Sequence, residues 1–187
     1  ELDCSFQGLG IQYIVSGSIE YFTSEKKLEA SAGDYIIGNT STSSSAKIRN
    51  HKQAEIICID ISIETICEIA ELYGIHCANF RNYLMTDQLL VNRYSAINSE
   101  LGQMLNTLYQ HIKSGRSEKK WFNRELFYSL GKTILSEQQE FFQQLNKIKL
   151  RSTVARYEVF RSLLKARYFI DKEFLKTPDL DELCDSA

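Results

Sequence analysis

The sequence predicts an α+β chain: a small antiparallel β-barrel or sandwich followed by an α-helical region. Before residue 62, short runs alternate apolar and polar residues between turn signals. After it, apolar residues recur at steps of three and four. Composition agrees, since 187 residues that are 43% hydrophobic and 25% charged can bury a real core.

In the first part, Ile11, Tyr13 and Val15 share one face of a strand. Gly17, between Ser16 and Ser18, supplies a tight turn, and Ile19 and Tyr21 continue on a partner strand. Ser31-Ala32-Gly33-Asp34 is a second turn, leading into Tyr35-Ile36-Ile37. Thr40 to Ser45 reads as a loop or weak edge strand. Gln53 to Ile61 is rich in β-branched residues and suits burial on both faces.

In the second part, Ile63, Ile66, Ile69 and Ala70 make a short amphipathic helix that Gly74 can end. Phe80 to Leu90 reads as irregular. Ile97, Leu101, Met104, Leu105, Leu108 and Ile112 form a helical stripe closed by Gly115, with His111 favouring the helix dipole at its end. Phe122, Leu126, Leu130 and Ile134 start another helix, with Phe141, Leu145 and Ile148 as its extension. A third runs from near Thr153 to Phe174. Leu175 to Asp179 is then a turn, and Leu180 to Ala187 opens a further helix. Asp179 serves as its N-cap, Glu182 completes a capping box, and Pro178 stops the preceding helix. Helix, short turn and helix suggest a helix-turn-helix cut in half.

The segment Ala166 to Ala187 resembles the start of the DNA-binding domain of AraC-type transcriptional regulators. Ala166, Arg167, Phe169, Ile170, Asp171 and Phe174 fall on its Ala-Arg-x-aromatic-Ile-Asp-x-x-Phe pattern. Pro178, Leu180, Asp181, Glu182 and Leu183 fall on the turn and following helix, with Cys184 where the family has Ala. Tyr13 to Tyr21 and Ala32 to Ile37 are similar to that family's first hairpin and to the turn feeding its next strand. Gly38-Asn39 stand where the family often has Pro, and serines where it often has His. The resemblance implies three parts: a cupin-like sensor at 1–62, a helical dimerisation and linker region at 63–148, and the truncated start of a helix-turn-helix domain at 149–187.

The function expected on this basis is effector sensing and dimerisation in a DNA-binding regulator. Tyr13, Val15, Tyr21, Tyr35 and Ile37 are the candidate ligand pocket, where aromatic walls and hydroxyls would orient a small molecule. The alternative is that these side chains fill the core. Ile97, Leu101, Leu105, Leu108 and Ile112 are the candidate homodimer interface, the alternative being packing within the chain. Lys147 to Lys172 carries eight basic residues against Glu158 and Asp171. From that run Arg156, Arg161, Lys165 and Arg167 are expected near DNA, against the reading of a solvated face. Because the pattern stops before a base-reading helix, this chain by itself is expected to bind DNA weakly or not at all.

No cofactor, metal or catalytic residue is expected. The three histidines, His51, His76 and His111, are scattered, and no phosphate-binding glycine loop or Ser-His-Asp set stands out. The rival from another class is a metal-free cupin-fold enzyme, such as an isomerase, with a helical dimerisation tail. The net charge of −2 gives no general pull to nucleic acid or membrane. No apolar run approaches the roughly 20 residues a bilayer span needs. Cys4, Cys58, Cys67, Cys77 and Cys184 are widely and irregularly spaced, which fits reduced thiols and a cytoplasmic location.

Overall fold

A computed structural model describes residues 2–4, 6–23, 27–40, 44–48, 54–75, 78–84, 93–115 and 123–172. The strands are β1 (Leu2–Cys4), β2 (Leu9–Ser16), β3 (Ser18–Thr23), β4 (Lys27–Ser31), β5 (Asp34–Gly38), β6 (Ser44–Ile48), β7 (Glu55–Ile61) and β8 (Arg93–Ser95). The helices are α1 (Ile63–Leu72), α2 (Ala78–Leu84), α3 (Glu100–Lys113), α4 (Arg124–Lys147) and α5 (Thr153–Lys172).

Among the described residues the strands form two antiparallel four-stranded sheets, ordered β1-β6-β3-β4 and β7-β2-β5-β8, and do not close into a barrel. The α+β class is as expected, and of its two β forms the sandwich is the one seen. One pairing differs. Gly17 does not close a hairpin between β2 and β3, because β2 pairs with β5 and β7 while β3 pairs with β4 and β6. The turn at Gly17 (φ 79°) carries the chain from one sheet to the other. That positive φ is available to glycine at little cost.

Leu9 to Ile14 is buried at every position because the sheet containing β2 is covered on both sides. Ile14 and Ile36 point to the other sheet, where they meet Ile19, Tyr21 and Ala30. Ile11, Tyr13, Tyr35, Ile37, Ile59 and Ile61 point the opposite way, into a core shared with the helices. Successive side chains on a strand alternate faces, so one register sets both cores. The molecule is thus three layers: sheet, sheet, helices.

The helical starts are fixed by side-chain caps. The hydroxyls of Ser62, Ser99 and Ser152 and the amide oxygen of Asn123 accept from backbone N–H groups three residues on, at 2.9–3.3 Å. Gly74 and Gly115 follow α1 and α3 with φ of 68° and 66°, as their positions in sequence suggest. Helix α2 is a departure, since residues 80–84 are helical within the Phe80 to Leu90 stretch expected to be irregular, the rest of which lies outside the described residues. Phe80 and Tyr83 stack and both pack on Phe142, so tertiary contact supports a segment too short to show a period. The 24-residue α4 is the spine, in contact with α1, α2, α3 and α5.

Two further expectations are modified. Leu101, Leu105 and Leu108 lie in the chain's own core at 0%, 0% and 7% exposure, so they are not presented to a partner. The sheet's second face needs a helical cover, and this apolar stripe supplies part of it. From that stripe only Ile97 (62% exposed, ahead of α3) and Ile112 (38%) remain outside. Nor does packing break at residue 149, because α5 contacts β8 and α4. Phe160 of α5 is 2% exposed and meets Phe141 edge-on at 6.3 Å. The expected turn and second helix after residue 172 lie outside the described residues, as do His51 and His76.

Candidate functional site

A cleft of about 240 Å³ opens where β5 and β8, the start of α3, α4 and the end of α5 meet. Its aromatic floor is built by pairing. Register sets Tyr35 of β5 opposite Tyr94 of β8, and their rings stack at 5.2 Å. Phe141 of α4 lies 5.7 Å from Tyr94. The start of α3 approaches closely because residue 102 is glycine: a Cβ there would sit 2.3 Å from the Ala96 Cα.

Two guanidinium groups line the cleft, each laid against a ring. Arg93 sits 3.5 Å from the centre of the Tyr168 ring and donates to the Glu29 carbonyl at 2.9 Å. Arg167 sits 5.5 Å from the centre of the Phe141 ring. Contacts of this kind contribute about 0.5–1 kcal/mol when exposed and more when dry.

Tyr168 also ties α5 to the sandwich. Its hydroxyl donates to Asp34 Oδ2 at 2.8 Å, across 134 positions of sequence. The same oxygen accepts from the Ser31 N–H at 2.8 Å, closing the turn that Gly33 makes at φ 83°. Burial, then the Asp34 charge, raise the Tyr168 pKa, so the phenol keeps its proton.

Glu137 of α4 is the half-buried acid of the cleft. Its oxygens accept from the Tyr35 hydroxyl at 3.1 Å and from the Leu101 N–H at 3.0 Å, joining three elements. Burial raises its pKa, while the Leu101 and Tyr35 bonds and Arg167 pull it back down. A folded pKa above the unfolded one means the folded chain binds the proton more tightly. Stability from this group is therefore present on the acid side and is lost as pH rises from 4.5 through the folded pKa. Glu137→Gln is expected to remove that fall. Urea melts of both proteins at stepped pH check it, and an equal pH dependence in the two would contradict it.

Of the five expected pocket residues, only Tyr35 lines this cleft. Tyr13, Val15 and Ile37 pack in the core under the helices, and Tyr21 lies between the sheets. Among the four basic residues expected near DNA, Arg167 lines the cleft. At about 100° per residue, Arg161 and Lys165 project from a different side of α5 than Arg156 and Arg167, so the four do not make one stripe. Arg93, Tyr94, Glu137 and Tyr168 were not singled out as site residues. The signal for Tyr168 was faint: an aromatic beside Arg167, on a segment with a recognisable pattern.

Among the described residues no three His, Cys, Asp or Glu side chains converge to hold a metal. Nor is any described helix long and apolar enough to cross a membrane.

This is an α+β sandwich-and-helix domain with a polar, aromatic-floored cleft at the junction of its layers. No protein-family model matches the chain, and no curated protein sequence does. Solved structures do, at low similarity. The AraC-like transcriptional activator CuxR matches at 8% identity and TM-score 0.43, over 96% of this chain and 56% of that one. ToxT from Vibrio cholerae O395, bound to (E)-4-(8-methylnaphthalen-1-yl)but-3-enoic acid, matches at 11% and 0.46, over 97% and 63%. An apo ToxT variant from Vibrio cholerae strain SCE256 matches at 10% and 0.45, over 98% and 63%. The chain therefore spans about three-fifths of the length of each of these proteins.

Proposed function

We propose that this chain is the effector-sensing part of an AraC-type DNA-binding transcriptional regulator. One observation carries the reading: the cleft has a wall in the sandwich and a wall in α5, the helix whose end bears the first part of the family-like pattern, Ala166 to Asp171. A ligand there touches both. It shifts a two-state balance only through different affinities for the docked and displaced positions of α5. The Tyr168–Asp34 bond and the Arg93–Tyr168 contact are the groups it would compete with or reinforce.

In this reading the outer side of α5, where Val159, Leu163 and Ile170 are exposed, is the surface on which DNA-reading helices pack. The homodimer uses Ile97 and Ile112 with neighbouring exposed groups, the rest of the expected stripe being internal.

The test is a thermal-shift screen of the 187-residue chain against small metabolites, followed by amide hydrogen exchange. A ligand at a hundred times its Kd stabilises the native state by about 2.7 kcal/mol. The expected result is a hit that alters exchange across Thr153–Lys172. A ligand whose footprint stays within the sandwich, with α5 unchanged, contradicts the reading.

A further inference from the structure

The charges around the cleft come in two sets from different elements. Arg93 on β8 and Arg167 on α5 supply positive charge. Glu100 on α3 and Glu137 and Glu140 on α4 supply negative charge. Glu137 already accepts from Tyr35 and Leu101, one bond to each oxygen, which leaves Glu100 and Glu140, both exposed, as the carboxylates facing outward. Two guanidiniums thus stand with two solvent-accessible carboxylates around a floor of stacked rings.

We propose that the cleft takes a small amphoteric molecule, carrying a carboxylate and an ammonium on or beside a flat ring. A simple anion would pair with Arg93 and Arg167 but meet three carboxylates. A simple cation would pair with Glu100 or Glu140 but meet two guanidiniums. A ligand with both signs offsets each repulsion with an attraction, and charge-assisted hydrogen bonds are about twice as strong as neutral ones. Guanidinium and carboxylate also match as a two-pronged pair. The Tyr35–Tyr94 stack and Phe141 give the ring an apolar surface of offset aromatic geometry. At about 240 Å³ the cleft is smaller than the roughly 300–1,000 Å³ usual for drug-sized ligands, which selects a single-ring metabolite.

The probes are L-phenylalanine, 3-phenylpropanoate and 2-phenylethylamine, which share one ring and differ in charge. Calorimetric titration of the whole chain is expected to rank L-phenylalanine tighter than either singly charged analogue by about tenfold or more, the size of one charge-assisted contact. Arg167→Gln should weaken L-phenylalanine and the acid but not the amine, which loses a repulsion and binds as well or better. Glu140→Gln should weaken L-phenylalanine and the amine but not the acid, which loses a repulsion and binds as well or better. Thermal melts of both variants confirm that each is folded. Equal affinity for either singly charged probe, or no binding of any of the three at millimolar concentration, overturns the ligand class.

This class rests on the cleft being the effector site, and the two ideas fail differently. If L-phenylalanine binds with the expected ranking while amide exchange in Thr153–Lys172 is unchanged, the ligand class stands and the regulator reading falls. If another metabolite from the screen alters that exchange but the ranking fails, the reverse holds.

Discussion

Phe160→Ala is expected to lower the free energy of unfolding by about 3–5 kcal/mol, the usual cost of removing a buried phenylalanine ring. Phe160 is the buried anchor of α5 and rests edge-on against Phe141. Phe141 also meets the Tyr94 ring and the Arg167 guanidinium, so the cavity left behind opens under the cleft floor. A packed interior cannot collapse freely around such a gap. Urea unfolding followed by circular dichroism should show a large fall in midpoint for one cooperative transition. If α5 were instead an independent unit on a tether, the loss would be small, below about 1 kcal/mol. The sandwich transition would then keep its midpoint.

The helical half was largely readable because its period survives without tertiary knowledge. The steps through Ile63, Ile66 and Ile69, and through Leu101, Leu105 and Leu108, gave helices whose inner faces are the buried ones. The closing glycines, Gly74 and Gly115, marked two of the ends. The strands were readable as strands but not as a topology. Ile11-Gln12-Tyr13-Ile14 is buried on both faces, so alternation does not tell which core each side chain enters. That is why Tyr13 and Ile37 were expected in a pocket and lie in the helix-facing core.

The cleft was the least legible part, for reasons of length and distance. Three residues of β8 carry too little pattern to announce a strand, and they contribute Arg93 and Tyr94. Glu137 looks in sequence like any solvated position on a long helix. Only the packing of α4 against the start of α3 makes it the acceptor for the Leu101 N–H. Asp34 was visible as part of a turn, but its partner Tyr168 lies far along the chain in α5. Local pattern finds the turn and has no means of finding the partner.

The Asp34–Tyr168 contact carries the second large expected effect. Asp34 is fully buried, and its Oδ2 gathers the Tyr168 hydroxyl and both donors of Ser31. Tyr168→Phe removes one of these donors and is expected to cost about 1.5–3 kcal/mol, the range for a hydrogen bond to a charged group. Asp34→Ala strands the donors that converge on it, at about 1–3 kcal/mol each where they are cut off from water. The lost turn bonds at Ser31 belong to the sandwich alone. The hydroxyl bond belongs to the docking of α5. Single substitutions mix the two.

Pairing the substitutions separates them, because whatever Asp34→Ala does to the Ser31 turn appears equally with Tyr or Phe at 168. Urea unfolding of the parent, both single variants and Asp34→Ala/Tyr168→Phe gives the coupling free energy directly. A docked α5 predicts a coupling of about 1–3 kcal/mol. Additivity within about 0.5 kcal/mol would mean that the two side chains do not meet in solution, and that the cleft has no wall in α5.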